Sequence, residues 1–345
     1  MGGALTVRTM APLLNMRELG RIVTNGLGKE KTIYATHPPR VIPEENIIIT
    51  SDKKSIEIDW RLSFERMKGI ASEWKELYPY QDTTHVNAPA EYPDQPFGVW
   101  WASDMHIGNV DTEYEILQRH IELIENTKNT GVVTVGDDLD MGILPKFEVR
   151  FMQTIFPLAQ AFTAEDLMAE LNGRNPRNKQ IILAHLVGNH THSIMQATGI
   201  LYEKFYEKSK AAILPFMGEM FLKVGNEEYE VALAHKYWGR SKLNVTLEGK
   251  RLMEYVYPNA DVAVVGDFHV KGHEEFKKAG KWRTVVRPGT YRTGGLFELN
   301  RGYGKGTIGG SFTVFYPNEH KTLTFDDLND GIDYMNTIQK LHERV

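Results

Sequence analysis

The stretch GVVTVGDDLD (131–140) decides the fold class, because it joins an apolar run to a cluster of aspartates. The four residues VVTV are all β-branched, which is typical of a strand that is buried on both faces. The run stops at Gly136, and Asp137 and Asp140 follow it. The stretch is therefore predicted to be a buried strand with carboxylates directly after its carboxyl end.

Other short apolar runs share this pattern and are separated by helix-like stretches. They are FGVWWAS, QIILAHLVG, EYEVALAH, DVAVVG and WRTVVRPG. After the first of them, residues 112–128 are predicted to form a helix, with Thr112 and Glu115 at the spacing of a capping box. Buried strands that alternate with helices predict an α/β domain.

The predicted α/β domain covers residues 97–317, and residues 145–178 within it are predicted to be a helical insertion. Residues 1–78 are predicted to be a separate, small N-terminal α+β region of unknown role. Four prolines and weak apolar periodicity in residues 79–96 favour a linker. Residues 318–345 are predicted to be a tail with one helix.

The composition excludes several classes of protein and of site. The chain has 345 residues, no cysteine and a formal net charge of −5. Disulfides and thiolate ligands are therefore excluded, and any metal must be held by His, Asp, Asn or Glu. No apolar run reaches the ~18–20 residues that a membrane span needs, and the first residues lack a signal-peptide core. We therefore expect a cytoplasmic protein with no membrane partner, in a bacterium or a phage-infected host cell.

Residue types that bind metals stand directly after five of the predicted strands. Because the carboxyl ends of neighbouring strands in an α/β sheet converge on one edge, we expect these side chains to lie together. Each motif alone is weak, since a single Asp after a strand is usually a turn residue or a helix cap. The ordered set is much more specific. It comprises Asp104 and His106, Asp137 and Asp140, Asn189 with His190 and His192, His235, and Asp267 with His269.

This series resembles the calcineurin-like metallophosphoesterase superfamily, whose motifs are D-x-H, G-D-x-x-D, G-N-H-D/E, a lone His after a strand, and G-H-x-H. The chain supplies DMH (104–106), GDDLD (136–140), GNHT (188–191), His235 and GDFH (266–269). The resemblance implies an α/β fold in four layers, an α/β/β/α sandwich with two mixed sheets. It also implies two divalent metal ions at the strand ends.

The resemblance assigns a role to each matched residue. His190 would not bind metal but would hydrogen-bond the phosphate and protonate the leaving oxygen. Asp137 would bridge two ions that lie ~3.5–4 Å apart, an arrangement that clamps the attacking and leaving oxygens of a phosphoryl group. Mn²⁺ is the expected metal, with Mg, Fe, Ni and Zn as alternatives. The implied ligands are Asp104, His106 and His269 for the first metal, and Asn189 and His235 for the second.

The sequence departs from the family pattern at two positions. Thr191 stands where the family has an acid that helps to orient the catalytic His, so either another carboxylate or His192 would orient His190, unless His192 only caps the next helix. Asp267 stands where the family has a ligand His, and Asp is an adequate ligand for hard, oxygen-preferring ions. Asp140 matches the second Asp of the family motif and is expected to hydrogen-bond a ligand His.

A local excess of basic residues follows the last motif. Residues 271–310 contain nine Lys or Arg and three Glu, and Arg287 and Arg292 stand there among tyrosines. Interleaved arginines and aromatic rings can stack bases and neutralise phosphates, although an ordinary pair of strands with a solvated rim would give the same composition. The N-terminal region and this segment resemble the DNA-repair-exonuclease and phage-type branches of the superfamily.

The leading hypothesis is a two-metal-ion phosphodiesterase, a nuclease that acts on DNA or on another nucleotide phosphodiester. A phosphomonoesterase or a cyclic-nucleotide phosphodiesterase is the alternative among enzymes. From a different class, Thr191 and Asp267 favour a degenerate scaffold that binds nucleic acid without catalysis. A homo-oligomer formed through the N-terminal region is a further possibility that the sequence leaves open.

Overall fold

The computed structural model describes residues 47–49, 56–58, 64–65, 67–69, 72, 82–140, 152–155, 157–198, 206–241, 243–295 and 305–342. The chain divides into two compact units, Met1–Tyr80 and Gln81–Val345. In the first unit, strands β1 (Ile47–Ile49) and β2 (Ile56–Ile58) pair antiparallel, with Ile47 opposite Ile58.

The second unit contains the other strands and the helices described below. Its strands, in chain order, are β3 (Thr83–Asn87), β4 (Phe97–Ala102), β5 (Thr130–Thr134), β6 (Ile182–Leu186), β7 (Ala212–Leu214), β8 (Met217–Val224), β9 (Glu227–Ala234), β10 (Val262–Val265), β11 (Lys271–Lys278), β12 (Lys281–Pro288), β13 (Ser311–Phe315) and β14 (Thr322–Phe325). Its helices are α1 (Tyr114–Asn126), α2 (Pro157–Leu171), α3 (Asn189–Thr198), α4 (Leu247–Tyr255) and α5 (Leu328–His342).

These strands form two mixed sheets of six strands each. Sheet I has the order β14-β13-β4-β5-β6-β7, and sheet II has the order β11-β12-β10-β9-β8-β3. In sheet I the strands from β4 to β7 run parallel, while β13 is antiparallel to β4. In sheet II, β9, β10 and β12 run parallel to one another. The carboxyl ends of the central strands of each sheet therefore lie at one edge.

Alternate residues of β4 show how the two sheets pack. Phe97, Val99 and Trp101 lie in one buried cluster with residues of sheet II, such as Val264. Trp100 lies in a second cluster with residues of α1, α2 and α5. Because successive side chains of a strand point to opposite faces, β4 is buried on both sides, which explains its continuous apolar sequence.

The buried clusters define four layers. Helices α1, α2 and α5 cover the outer face of sheet I, the two sheets pack on each other, and α4 covers the outer face of sheet II through Leu252 and Met253. The α/β/β/α sandwich expected from the sequence is therefore confirmed. None of the described helices has the length and apolar character needed to cross a bilayer.

Two segments outside the predicted catalytic domain take part in the sandwich. Residues Thr83–Asn87, within the segment predicted to be a linker, form β3 at the edge of sheet II. An edge strand with a partly solvated face tolerates polar residues, so its sequence TTHVN resembles a loop. In the predicted tail, β14 pairs with β13, and α5 buries Leu328, Ile332 and Met335 against sheet I. Helix α2 lies within the predicted helical insertion.

Candidate metal centre

The carboxyl ends of five strands bring the predicted ligands together. Residues Asp104, Asp137 and Asn189 follow β4, β5 and β6 of sheet I, while His235 and Asp267 follow β9 and β10 of sheet II. The facing edges of the two sheets meet here, because His235 Nε2 lies 3.2 Å from both Asp137 Oδ2 and Asn189 Oδ1. The convergence expected from the sequence is thus present.

The first cluster consists of Asp104, His106 and His269. His269 Nε2 lies 3.2 Å from Asp104 Oδ1 and 3.2 Å from His106 Nε2. The distance from His106 Nε2 to Asp104 Oδ1 is 3.9 Å. Two imidazole nitrogens and a carboxylate oxygen therefore face the same small space, which is the mixed N/O donor set that a divalent ion of the first transition row accepts.

Hydrogen bonds hold the other atoms of this cluster. The Ser103 hydroxyl and the Asp267 backbone N–H, the latter at 3.0 Å, both donate to Asp104 Oδ2 and leave Oδ1 facing the histidines. Asp140 Oδ1 lies 2.9 Å from His106 Nδ1. The Nδ1–H group donates to this carboxylate, so the lone pair of His106 is on Nε2, as in metal-ligating histidines that carry a carboxylate partner.

The second cluster consists of Asp137, Asn189, His235 and Asp267. His235 Nδ1 donates to the backbone carbonyl of Val135 at 2.8 Å, which directs Nε2 towards Asp137 and Asn189. Asp267 Oδ1 lies 3.9 Å from the same Nε2. Asp104, Asp137 and His235 each bring one ligand atom within 4.8 Å of the others, so the two clusters are contiguous.

The pKa shifts show that this edge attracts positive charge. Burial opposes the charged form of Asp137, but the neighbouring His235 and His190 outweigh burial and hold the pKa of Asp137 well below its usual range. Burial likewise opposes the charged form of His235, but Asp137 raises the pKa of His235 to about 9. A bound divalent cation would satisfy the same negative potential, so the residues present fit a two-metal centre.

The chain has the four-layer order and the order of motifs that the resemblance noted in the sequence implies. The six ligands that the resemblance implies, and Asp267 at the position of the family's His, all stand at the strand-end edge: Asp104, His106, Asp137, Asn189, His235, Asp267 and His269.

Within this sandwich His190 lies beside Asp137, the carboxylate that is expected to bridge two ions. Its backbone N–H donates to Asp137 Oδ1 at 2.9 Å, and its Nδ1 donates to the backbone carbonyl of Asp140. His190 Nε2 is 3.8 Å from Asp137 Oδ2, and the side chain is 24% exposed. The Asp140 carbonyl thus orients His190 in place of the missing acid. His192 does not, because its ring packs edge-on against Phe216.

Backbone conformation also sets the metal centre apart. Among the described residues, nine that are not glycine have positive φ, and five of them are predicted ligands: Asp104, His106, Asp137, Asp267 and His269. This left-handed conformation costs free energy for residues that carry a Cβ, and it clusters at functional sites. This conformation turns the backbone sharply after each strand, so that the side chain points back over the sheet edge.

Glycines allow the strand ends to approach closely. A Cβ on Gly188 would lie 2.1 Å from the Asp137 backbone nitrogen, and a Cβ on Gly136 would lie 2.4 Å from His235 Nδ1. Gly136 also has a φ of 89°. The glycines of the GD and GN motifs are therefore required by packing between β5, β6 and β9 as well as by the turn.

The basic residues predicted to contact substrate occupy buried positions. The Arg287 guanidinium pairs with Glu248 and donates to the carbonyl of Gly266 at 3.0 Å, so it supports the turn before Asp267. Arg292 is 8% exposed, and its backbone forms an isolated antiparallel β-bridge with Thr112. Neither presents its side chain as a solvent-facing phosphate contact. The buried acid that neutralises Arg287 is Glu248 of α4, 39 positions earlier in the chain, so the sequence around Arg287 could not predict the pair.

Several residues of the centre were not identified from the sequence. Ser103 holds Asp104, and Gln153 donates to Asp140 Oδ2. Arg240 pairs with Asp267 Oδ2, and Lys236 Nζ lies 3.9 Å from the same oxygen. Ser103 directly precedes a predicted ligand, which was a usable signal; the others come from loops whose position depends on the tertiary fold.

Two of the solved structures that are similar to this chain are a predicted phosphoesterase and a nuclease. A conserved uncharacterized protein from Streptococcus pneumoniae TIGR4, described as a predicted phosphoesterase, is 11% identical, with a TM-score of 0.29 over 67% of this chain and 97% of that chain. The Pseudomonas putida nuclease MPE is 12% identical, with a TM-score of 0.30 over 66% of this chain and 87% of that chain. No family model and no curated protein matches. The resemblance to the superfamily therefore rests on the motifs and on the order of the layers.

Proposed function

We propose that the protein is a metal-dependent phosphoester hydrolase, and more narrowly a phosphodiesterase that cleaves DNA or another nucleotide phosphodiester. The observation that carries the proposal is the pair of contiguous, mostly buried His/Asp clusters at the strand-end edge. Such a donor set between two sheets, with a histidine beside the bridging carboxylate, fits phosphoryl chemistry better than a structural role.

The ligands divide between two ions. Asp104, His106 and His269 would hold the first, Asn189, His235 and Asp267 would hold the second, and Asp137 would contact both. When bound, the ions would polarise the phosphoryl group and lower the pKa of a water molecule to near neutrality. The chain itself supplies orientation: Asp140 fixes His106 and Val135 fixes His235 through their Nδ1 atoms.

His190 is the proposed general acid. Its Nδ1 is bonded to the Asp140 carbonyl, so Nε2 is the atom available for exchange of a proton with the substrate. A histidine is suited to this task near neutral pH because its ordinary pKa lies close to it. The partial exposure of the side chain lets a substrate oxygen reach that atom.

The charge of the centre favours a diester over a monoester. Once an ion replaces Arg240 as the partner of Asp267, this carboxylate adds to those of Asp104 and Asp137 and leaves less positive charge for the substrate. A phosphodiester carries one negative charge, whereas a phosphomonoester carries about −1.5 to −2 at pH 7. Repulsion by the extra carboxylate therefore weakens binding of a monoester more than binding of a diester.

The test compares two small substrates. Full-length protein with Mn²⁺ is expected to hydrolyse bis-p-nitrophenyl phosphate faster than p-nitrophenyl phosphate. Asp137→Asn is expected to lower kcat/KM for the diester by about 1000-fold or more, because several kcal/mol of charge stabilisation in the transition state are lost. His273→Ala is the matched control, since His273 pairs with Asp326 outside the centre. Equal rates for wild type and Asp137→Asn would refute the proposal, and faster monoester hydrolysis would favour a phosphomonoesterase.

A further inference from the structure

The loop that follows His235 exposes an aromatic ring between two cations. Its sequence is HKYWGR (235–240), and Trp238 is 54% exposed. Most large apolar side chains of the sandwich, such as Trp100 and Trp101, are buried. An exposed indole beside basic side chains combines an apolar face with positive charge, which calls for a functional explanation.

Both ends of the loop are attached to the metal centre. Lys236 Nζ lies 3.9 Å from Asp267 Oδ2, and the Arg240 guanidinium pairs with the same oxygen. Since consecutive Cα atoms are ~3.8 Å apart, the Cα of Trp238 lies at most about 11 Å from that of His235. The loop that carries the exposed indole is therefore attached directly to the proposed catalytic centre.

The indole is held in place by α4. The Arg251 guanidinium carbon lies 4.3 Å from its ring centroid, and the Tyr255 ring stacks on it at 5.6 Å with an interplanar angle of 27°. Gly239 has a φ of 99°, and a Cβ there would meet the end of the Arg251 side chain. A ring that is already fixed loses little conformational entropy when a ligand stacks on it.

The segment 287–305, which the sequence favoured for base stacking, does not offer this combination in its described part. Tyr291 is fully buried, and Arg287 is neutralised by Glu248. Lys271, Lys278 and Lys281 before it pair with Asp327, Glu254 and Asp261, which lie outside the metal centre, whereas Lys236 and Arg240 of the loop lie beside Asp267, a predicted ligand. The 235–240 loop is the better match to the rings and cations with which proteins bind single strands.

We propose that the 235–240 loop binds single-stranded nucleic acid, with one base stacked on Trp238 and a neighbouring phosphate beside Lys236 and Arg240. This substrate class rests on the proposed function, because the same strand would present its next phosphodiester to the metal centre. The flanking cations and the adjoining centre favour a polyanion over an apolar protein segment as the occupant.

The experiment separates base stacking from phosphate contacts. Fluorescence anisotropy would measure binding of full-length protein, in EDTA, to a labelled oligothymidylate and to an abasic oligomer of equal length. Wild type is expected to bind the oligothymidylate at least about tenfold more tightly, the size of effect that one base–aromatic stack gives. Trp238→Ala is expected to abolish this preference, and Trp238→Phe to retain part of it.

Trp282→Ala is the matched control, since Trp282 is another exposed indole, 67% accessible against 54% for Trp238, on β12 and outside the loop. It is expected to leave the preference unchanged. The inference would be overturned if Trp238→Ala kept the preference for the oligothymidylate, or if it lost affinity for both oligomers by the same factor. Hydrolysis of bis-p-nitrophenyl phosphate by wild type reports on the proposed function separately. Hydrolysis without a preference for the oligothymidylate would refute only the role of the loop. A preference without hydrolysis would refute only the proposed phosphodiesterase activity.

Discussion

The two halves of the metal centre differ in what holds their ligands. In the first half, Ser103 and the Asp267 backbone hold Asp104, and Asp140 holds His106. In the second half, Asp267 is held by its pair with Arg240, with Lys236 close by. The first half is surrounded by groups that turn lone pairs towards a common point, whereas the second half already contains a cation.

This difference indicates unequal metal affinities. A ligand whose far atom is fixed by a hydrogen bond is pre-oriented for an ion. A carboxylate that is paired with a guanidinium must share its charge or exchange its partner when an ion arrives. We therefore expect the first ion to bind more tightly than the second.

The largest expected effect is loss of the first half. His106→Ala removes a ligand that lies 3.2 Å from His269 Nε2, so one bound ion per chain is expected to remain and diester hydrolysis to fall about 1000-fold or more. Elemental analysis after dialysis against Mn²⁺ would measure the ion count. His273→Ala, four residues from His269 but bonded to Asp326, is expected to keep two ions. Two ions in His106→Ala would contradict the assignment.

Removing the support of a ligand is expected to have a smaller effect. Asp140→Ala deprives His106 Nδ1 of its acceptor and is expected to weaken the first ion by about 10- to 100-fold, measured by Mn²⁺ titration. Asp138→Asn is the control. Burial raises the pKa of Asp138 to about 7, so a neutral amide mimics a carboxyl that is already half protonated at neutral pH. Equal affinities for the two variants would count against the orienting role.

Beneath the second half, β6 carries a buried histidine that is not a ligand. His185 Nδ1 lies 2.9 Å from Thr134 Oγ1, and burial lowers the pKa of His185 to about 3. The unfolded chain therefore takes up this proton below pH ~6.5 while the folded chain does not, so stability is present above pH ~6.5 and falls as the pH drops towards 3.

Urea unfolding at pH 7 and pH 5 would test this contribution. The loss of free energy of unfolding between the two values is expected to be roughly 2 kcal/mol smaller in His185→Gln than in wild type. An identical pH dependence in the two proteins would show that His185 is not the acid-sensitive group.

The smallest expected effect is a gain in metal affinity, whereas the substitutions at His106 and Asp140 lower it. Arg240→Gln removes the cation that pairs with Asp267, so the second ion is expected to bind about two- to fivefold more tightly, in line with a partly exposed ion pair. Competitive Mn²⁺ titration would measure it. Arg174→Gln, which breaks an exposed pair with Asp166, is the control. Weaker binding of the second ion would mean that Arg240 positions Asp267 as a ligand instead of competing for it.

Sequence patterns predicted the strand ends because their cause is local. An apolar run that stops at glycine before Asp or Asn describes both a doubly buried strand and the sharp turn after it. Parallel neighbouring strands then bring Asp104, Asp137 and Asn189 to one edge of sheet I, whereas the grouping with His235, which follows β9 of sheet II, came from the resemblance to the superfamily. The positive φ at Asp104 and at Asp267 belongs to the sharp turn that follows each of their strands.

Contacts that depend on side chains distant in sequence were not predictable in this way. Arg287 looks like a substrate contact until Glu248 of α4 is placed against it. His192 was a candidate for orienting His190, but a backbone carbonyl, which no sequence pattern reveals, takes that role. The strand β3 was missed because an edge strand with a polar face has the composition of a loop.

Crystals of the full-length protein grown with Mn²⁺ and measured at the manganese absorption edge would test the central claim most directly. The account predicts two anomalous peaks ~3.5–4 Å apart. One would contact Asp104, His106 and His269, the other Asn189 and His235, with Asp137 reaching both, and the first peak would be the stronger. Absence of any peak at this edge of the sandwich, or a single ion held by neither His106 nor His235, would contradict it.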